Sequence, residues 1–131
     1  GFVGADVHFY RELTAREHLR LVARLRGLAM DAEAGSTVLD AVGLGGREDE
    51  PVGGYSSGML QRLRYALALM HQPGVLILDE PTTNLDEAGI ALVGEIVERA
   101  ACDGIVVIAT NDPRDLHYGE LVLPLDTAGR G

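Results

Sequence analysis

Two adjacent carboxylates, Asp79 and Glu80, close an apolar run that starts at Val75. Four apolar residues in succession are typical of a strand buried in a parallel sheet, and open α/β sheets bind their ligands at the carboxyl ends of such strands. The two acids diverge in direction, so one can face a metal ion and the other a water molecule. Phosphate hydrolysis needs both, a Mg²⁺ ion held by hard oxygen atoms and a group that orients the attacking water. The alternative is a buried strand that ends in a solvated pair of acids.

A second candidate site is an anion site formed by Ser56, Ser57 and Gly58 at the start of a predicted helix. The first backbone N–H groups of a helix are unpaired and lie at its positive dipole end, so they favour an anion. Glycine lets the backbone approach a phosphate closely. Serine is also an ordinary N-cap residue, and these three residues taken alone favour that simpler interpretation.

The helices that position these residues follow from apolar periodicity and end signals. A capping box, Thr14 with Glu17, opens a first helix that ends at Gly27. Its arginine face, which carries Arg16, is expected to be solvated. A helix over 57–71 shows the strongest pattern, a weaker helix over 31–42 is interrupted by glycine and serine at 35–36, and a further helix covers 86–101.

The strands are predicted from short runs of apolar residues. They cover 75–79, 104–110 and 121–125, with a short strand end in the first ten residues and a loop over 43–54. The order strand, helix, strand at this spacing indicates a right-handed βαβ unit with parallel strands, and therefore an α/β fold.

Composition excludes several classes of protein. The 131 residues fit one domain, and a net charge of −9 argues against nucleic-acid binding, which needs clustered cations. All eleven basic residues are arginine, so a P-loop of the form G-x-x-x-x-G-K-[ST] cannot occur within this sequence. Cys102 is the single cysteine, which fits a reducing compartment, and the four histidines show no metal-ligand spacing. Because the sequence opens on Gly1 without a leader pattern, we expect a cut within a longer protein.

The run over 76–86, about twenty residues after the segment 55–62, resembles the Walker B strand and D-loop that follow the signature motif in an ATP-binding cassette (ABC) ATPase. The Ser-Ser-Gly-Met form of the signature is similar to cassettes of bacterial haem and drug exporters. The resemblance implies a partial P-loop NTPase fold, with a helical subdomain over about 10–70 and a core part with Walker B, D-loop and switch strand over about 72–131. It covers most of the chain.

The resemblance also implies roles for single residues in a head-to-tail dimer of two cassettes. Asp79 would coordinate Mg²⁺, and Glu80 would polarise the catalytic water. The signature would bind ATP held by the other subunit, and Asp86 in the D-loop would couple the two sites. The signature residues expected to contact the nucleotide are Ser56, Ser57, Gly58, Met59 and Gln61. Transmembrane subunits would be the transport partners, which implies a cytoplasmic protein at the inner face of the membrane.

Two positions depart from the family pattern. Ala5 stands where the Q-loop glutamine belongs, which removes an amide ligand and a link to the membrane partner. Asn111 stands where the switch histidine belongs, and asparagine keeps hydrogen-bonding capacity without charge or acid–base function. Both departures predict weakened ATP hydrolysis. Asn111 is expected to occupy the catalytic position of the switch histidine. Without a P-loop, the isolated chain is expected to bind ATP poorly and to turn over negligibly.

Two other functions stay open. A degenerate, non-catalytic half-cassette would contribute only its signature to a partner's ATP site; Ala5 and Asn111 favour it, whereas the intact Asp79–Glu80 pair weighs against it. A cassette that acts on ribosomes or DNA is disfavoured by the acidic charge. The sequence indicates neither the transported substrate nor the direction of transport.

Overall fold

The computed structural model describes residues 1–125, which form an α/β fold. The strands are β1 (Phe2–Val3), β2 (Val75–Asp79) and β3 (Ile105–Ala109). The α-helices are α1 (Ala15–Leu25), α2 (Ala32–Ala41), α3 (Ser57–Leu69) and α4 (Glu87–Asp103), and there are short 3-10 helices at Val52–Gly54 and Pro113–Tyr118. The predicted α/β class and the strand–helix–strand unit β2–α4–β3 are confirmed.

The sheet is parallel throughout, in the order β1–β2–β3. The register pairs Val3 with Leu78 and Leu78 with Ile108, so these side chains share one face. Val3 and Leu78 are fully buried in a single apolar cluster with residues of α1, α3 and α4. One continuous core therefore joins the helical part of the chain to the sheet.

Within residues 1–125 the opposite face of the sheet is open, so the strand predicted as buried over 75–79 is buried on one face. Alternate residues of β2 are exposed, with Val75 at 46% and Ile77 at 42%. Phe2, Ile105 and Val107 are similarly exposed and fall on the same face by register. The apolar run correctly indicated a strand, but an apolar run cannot tell which faces the rest of a molecule covers.

The helical part confirms the predicted start of α1. The Thr14 side chain accepts from the Glu17 backbone, and the Glu17 carboxylate accepts from the Thr14 backbone. Arg16, however, is not a solvated side chain. Its guanidinium donates to Ser36 of α2 and to Asp49 of the loop after α2, so it connects α1 to both.

Two further predictions on secondary structure are wrong. Helix α2 runs without interruption through Gly35. Glycine is unfavourable in a helix partly because it exposes the backbone to water, and Gly35 avoids that cost because it is buried. Residues 121–125 do not form a strand, and Leu121, Leu123 and Leu125 are exposed. A strand needs an edge to pair with, and this segment joins neither edge of the three-stranded sheet; Pro124 also lacks the N–H that a ladder uses. Residues 126–131, the last part of the core predicted over about 72–131, lie outside the described residues.

Across residues 1–125, every helix is too short or too polar to cross a membrane.

Candidate functional site

Asp79 is the last residue of β2, and its carboxylate is free. Its position in the strand places it on the open face of the sheet, in line with Val75 and Ile77. The side chain is exposed and forms no hydrogen bond or ion pair with another residue among 1–125. A free carboxylate fits Mg²⁺, which binds through one or two protein carboxylates and takes its other ligands from water and phosphate.

A complete protein cage for a metal ion is not present in this part of the molecule. Within residues 1–125, no group of three or more His, Cys, Asp or Glu side chains is placed to hold an ion. A cation bound at Asp79 would therefore depend on phosphate oxygens and water for most of its coordination sphere.

Glu80 follows β2 in a left-handed backbone conformation, with φ at +50°. That region is unfavourable for a residue with a long side chain and typically costs about 1–3 kcal/mol, so it persists only where neighbouring contacts fix it. The Glu80 backbone N–H donates to the Ala109 carbonyl at 2.8 Å, at the end of the neighbouring strand. The turn after β2 is thus anchored to β3.

The Glu80 carboxylate is held by the segment that follows β3. Its Oε1 accepts from the Asn111 backbone N–H at 2.9 Å and from the Asn111 side-chain amide at 3.1 Å. The Thr110 hydroxyl lies 3.4 Å from Oε2. The structure therefore brings together Glu80 and Asn111, two residues that are thirty-one positions apart in the sequence.

The serines at the start of α3 have different roles. Ser56 is the N-cap, and its hydroxyl accepts from the Met59 backbone N–H at 3.2 Å. The simpler capping interpretation thus describes the Ser56 side chain. Ser57, the first helical residue, is exposed and its hydroxyl forms no hydrogen bond with residues 1–125. Its side chain is therefore available to an external partner.

An open cavity of about 320 Å³ lies where the N-terminus of α3 meets the turn before α4. Gly58 is packed closely here, since a Cβ on it would lie 3.3 Å from the Asn84 carbonyl oxygen. Asn84 itself has φ at +63°, a conformation that asparagine tolerates. The cavity is lined by Ser56, Ser57, Gly58, Met59, Arg62, Asn84 and Asp86.

Gln61 does not line this cavity. It is 5% exposed, its side-chain nitrogen lies 3.5 Å from the Pro81 carbonyl oxygen, and its side-chain oxygen accepts from Arg64 at 3.0 Å. Tyr65, one helical turn further on, donates to the same Pro81 carbonyl at 3.0 Å. These contacts join α3 to the turn that carries Glu80.

Asp86 is the N-cap of α4 and accepts from the Gly89 backbone N–H at 2.8 Å. It also pairs with Arg62 of α3 at 3.7 Å. Arg62 in turn donates to the Val42 carbonyl at 3.2 Å. The sequence did not single out Arg62 as a cavity residue; its position four residues after Gly58 on a predicted helix was the available signal.

Ala5 lies apart from the carboxylate pair, in a wider groove of about 430 Å³. Arg64 crosses this groove, donating to the Val7 carbonyl at 3.3 Å with its guanidinium 5.5 Å from the Phe9 ring centre. Partial burial lowers the pKa of Arg64 from its usual range. The groove is lined by Ala5, Val7, His8, Phe9, Arg11, Val52, Gly53, Tyr55, Leu60 and Arg64.

Asp115 is a site residue that sequence reasoning missed. It is 2% exposed and accepts from Thr82 at 2.8 Å and from Thr110 at 2.7 Å. Thr82 and Thr110 each come shortly after a predicted strand, and this position could have indicated that both lie near the site. Nothing in the sequence separates Asp115 from the other acidic residues of this chain.

Comparison with known proteins connects this geometry to one family. The sequence model described as "ABC transporter" matches residues 1–83. A solved structure described as an ATP-binding subunit of an ABC transporter superposes with a TM-score of 0.73 and 29% identity, covering 89% of this chain and 50% of that one.

Curated relatives agree with the family match. The lantibiotic transport ATP-binding protein SrtF of Streptococcus pyogenes is 35% identical over 85% of this chain and 48% of its own length. The bacitracin transport ATP-binding protein BcrA of Bacillus licheniformis is 42% identical over 76% of this chain and 32% of its own length. This chain thus spans about half or less of these relatives. The family-model match over residues 1–83, the two curated relatives and the matched fold show that the chain belongs to the ABC transporter family of ATP-binding proteins.

Proposed function

We propose that this chain supplies the signature, Walker B, D-loop and switch segments of an ABC ATPase that couples ATP binding and hydrolysis to transport across a membrane. The observation that carries the proposal is the hydrogen-bonded placement of Glu80. Its carboxylate accepts from the Asn111 backbone and side chain, while the adjacent Asp79 is exposed and forms no hydrogen bond with residues 1–125. An oriented base next to a free metal ligand meets the needs of nucleotide hydrolysis.

The residues divide the chemistry between them. Asp79 would hold Mg²⁺, which when bound neutralises charge on the phosphate oxygens. Glu80 would accept a hydrogen bond from the attacking water and then its proton. Asn111 keeps the Glu80 carboxylate in one orientation through its two N–H donors. Asn111 is therefore proposed as a residue of the catalytic site with an orienting role. It does not act as an acid or a base, because an amide cannot exchange protons as an imidazole does.

The signature cavity would take the phosphates of an ATP molecule held by a second subunit. Neither Asp79 nor Glu80 lines that cavity, which supports assigning the two patches of this chain to different ATP sites in a head-to-tail pair. The exposed Ser57 hydroxyl and the backbone at Gly58 are placed to meet the γ-phosphate. Ser56, Met59 and Asp86 shape the cavity, whereas the buried Gln61 supports the turn at Pro81 and is not assigned as a ligand.

We place the transmembrane partner at the groove that contains Ala5. The groove has a volume of about 430 Å³ and combines apolar walls with the guanidinium of Arg64. Ala5 lacks the amide of the glutamine expected at this family position, so the walls of the groove and Arg64 would make the contact with the membrane subunit. The protein would then lie at the cytoplasmic face of the membrane. Because two relatives are named for lantibiotic and bacitracin transport, we favour transport of the exporter type.

The groove can be tested by site-directed cross-linking. In a Cys102→Ser background, which removes the single thiol of these 131 residues, Ala5→Cys is expected to cross-link to the membrane subunit of the intact transporter. Native Cys102, exposed near the end of α4, is the matched control and is expected not to cross-link. Equal cross-linking from both positions would contradict this placement.

The catalytic proposal is tested in the intact protein that carries this chain. Glu80→Gln keeps the size of the side chain and removes the base, so we expect ATP turnover to fall by about 100-fold or more. Nucleotide binding should be retained, because Glu80 is not a phosphate ligand. Glu98→Gln, the same substitution on an exposed position of α4, is the control and should leave turnover unchanged. Turnover that survives Glu80→Gln would exclude Glu80 as the base.

The non-catalytic half-cassette remains the second candidate, favoured by Ala5. The contacts of Glu80 weigh against it, because a module that lent only its signature would not need a base oriented by Asn111. The same measurement separates the two. A half-cassette predicts equal turnover in Glu80→Gln and the parent protein, together with a loss of turnover when Ser57 is replaced.

A further inference from the structure

Asp115 is a buried carboxylate that forms no ion pair with residues 1–125. It lies in the 3-10 helix Pro113–Tyr118 and is 2% exposed. None of the ion pairs among residues 1–125 includes it. Its hydrogen-bond donors are two hydroxyl groups, those of Thr82 and Thr110. Burial of a carboxylate is unfavourable unless donors compensate it, so both hydroxyls are needed to keep it there.

The two threonines belong to the two segments that form the catalytic turn. Thr82 lies two residues after Glu80, in the turn closed by the bond from the Thr83 backbone to the Glu80 carbonyl. Thr110 lies between β3 and Asn111, the residue that holds the Glu80 carboxylate. Asp115 is therefore a bridge from the segment after β2 to the segment after β3.

The bridge also decides where the Thr110 hydroxyl points. That hydroxyl has one proton, and it lies 2.7 Å from Asp115 but 3.4 Å from Glu80. The shorter distance assigns the proton to Asp115, and Thr110 accepts in turn from the Asp112 backbone N–H at 2.9 Å. Glu80 then depends on Asn111 for its strong hydrogen bonds, which leaves its Oε2 open to a water molecule.

We propose that Asp115 is a positioning residue that fixes the orientation of Glu80 and Asn111 by binding Thr82 and Thr110 together. This inference rests on the proposed function, because the consequence of the positioning is the rate of ATP hydrolysis. Asp115 touches no reacting atom, so its effect passes through the two threonines. The left-handed backbone of Glu80, with φ at +50°, requires contacts of this kind to hold the turn.

The test compares variants in the intact protein that carries this chain. Asp115→Ala removes both acceptors, and Thr82→Val removes one donor with little change in shape. Both are expected to lower kcat for ATP at least about tenfold while KM changes less than about twofold, since a displaced base costs rate without loss of nucleotide binding. Thr82→Ser keeps the hydroxyl and should retain kcat. Thr37→Val, at an exposed position of α2, is the matched control.

A second readout does not depend on catalysis. Hydrogen–deuterium exchange of the peptide that contains Asn111 should become at least about fivefold faster in Thr82→Val and Asp115→Ala, whereas peptides of α3 should be unchanged. Unchanged exchange at Asn111 in both variants overturns the inference, and so does exchange that accelerates equally throughout α3. If the parent protein hydrolyses no ATP, the proposed function fails, and the exchange measurement still decides whether Asp115 joins the two segments.

Discussion

Asn111 changes the chemistry of the site because an amide can orient a carboxylate but cannot carry a proton. It donates to Glu80 through the backbone at 2.9 Å and through the side chain at 3.1 Å. Substitution by alanine or histidine removes or replaces the side-chain bond, whereas the backbone N–H donor remains in both variants. The contribution of the side chain is therefore separable by mutation.

We predict that Asn111→Ala lowers kcat for ATP about tenfold in the intact protein, because Glu80 loses one of its two close donors. Asn111→His restores a ring that can donate to Glu80 and also titrate, so we expect kcat to rise above that of the parent protein. Steady-state ATPase assays measure both changes. Equal rates for the alanine and histidine variants would show that residue 111 acts only through its backbone.

At the scale of the element, the start of α3 serves stability and binding through different serines. Ser56 caps the helix with its hydroxyl, and the Ser57 side chain is exposed and its hydroxyl forms no hydrogen bond with residues 1–125. Loss of an N-cap hydroxyl typically costs about 1 kcal/mol, and exposed side chains away from such features contribute little.

We predict that Ser56→Ala lowers the free energy of unfolding by about 1 kcal/mol, whereas Ser57→Ala changes it by less than about 0.5 kcal/mol. Chemical denaturation of the two variants measures the difference. In the intact transporter, Ser57→Ala should instead reduce ATP turnover. If Ser57→Ala proves as destabilising as Ser56→Ala, the division of roles between the two serines is wrong.

Helix α3 also supports the catalytic turn through Tyr65. This side chain is 1% exposed and donates to the Pro81 carbonyl at 3.0 Å. Burial raises the pKa of Tyr65 above its ordinary value of 10.0, so the unfolded chain releases this proton at a lower pH than the folded chain. The contribution of Tyr65 is therefore complete below pH 10 and is lost as the pH rises beyond it.

We predict that Tyr65→Phe lowers the free energy of unfolding by about 1 kcal/mol at neutral pH, because the Pro81 carbonyl keeps only the long bond from Gln61. The difference between parent and variant should shrink as the pH is raised above 10. Tyr10→Phe, at a position that is 64% exposed, is the control. Denaturation curves at several pH values measure both effects, and a difference that does not vary with pH would contradict the assigned burial.

At the scale of the whole molecule, the helices found among residues 1–125 cover one face of the sheet and leave the other open. Parallel sheets in folded proteins are normally covered on both faces. The open face contains apolar residues from all three strands: Phe2, Val75, Ile77, Ile105 and Val107. An apolar surface of this kind marks a site of association.

We predict that the 131-residue polypeptide, prepared alone, self-associates and binds the dye ANS. The double variant Ile77→Thr with Val107→Thr should reduce both, because threonine keeps the strand propensity while lowering the apolar area. Sedimentation velocity and ANS fluorescence measure the change. Val93→Thr, in the covered core, is the contrasting variant and should reduce stability without reducing association. A monomeric polypeptide that leaves ANS unbound would refute the prediction.

The residues themselves determined the local chemistry of this protein and the order of its elements. The Asp79–Glu80 pair after an apolar run, the Thr14–Glu17 capping box and the serines before α3 follow from side-chain type and spacing, which act over a few residues. Tertiary structure alone decided which distant groups meet. It brought Glu80 into hydrogen bonding with Asn111 and paired Arg16 with Asp49. It also buried Gln61 and Asp115, and within residues 1–125 it left 121–125 outside the sheet and one sheet face exposed. The physical reason is that burial and hydrogen bonding between distant segments depend on how the chain packs, which the periodicity of one segment does not encode.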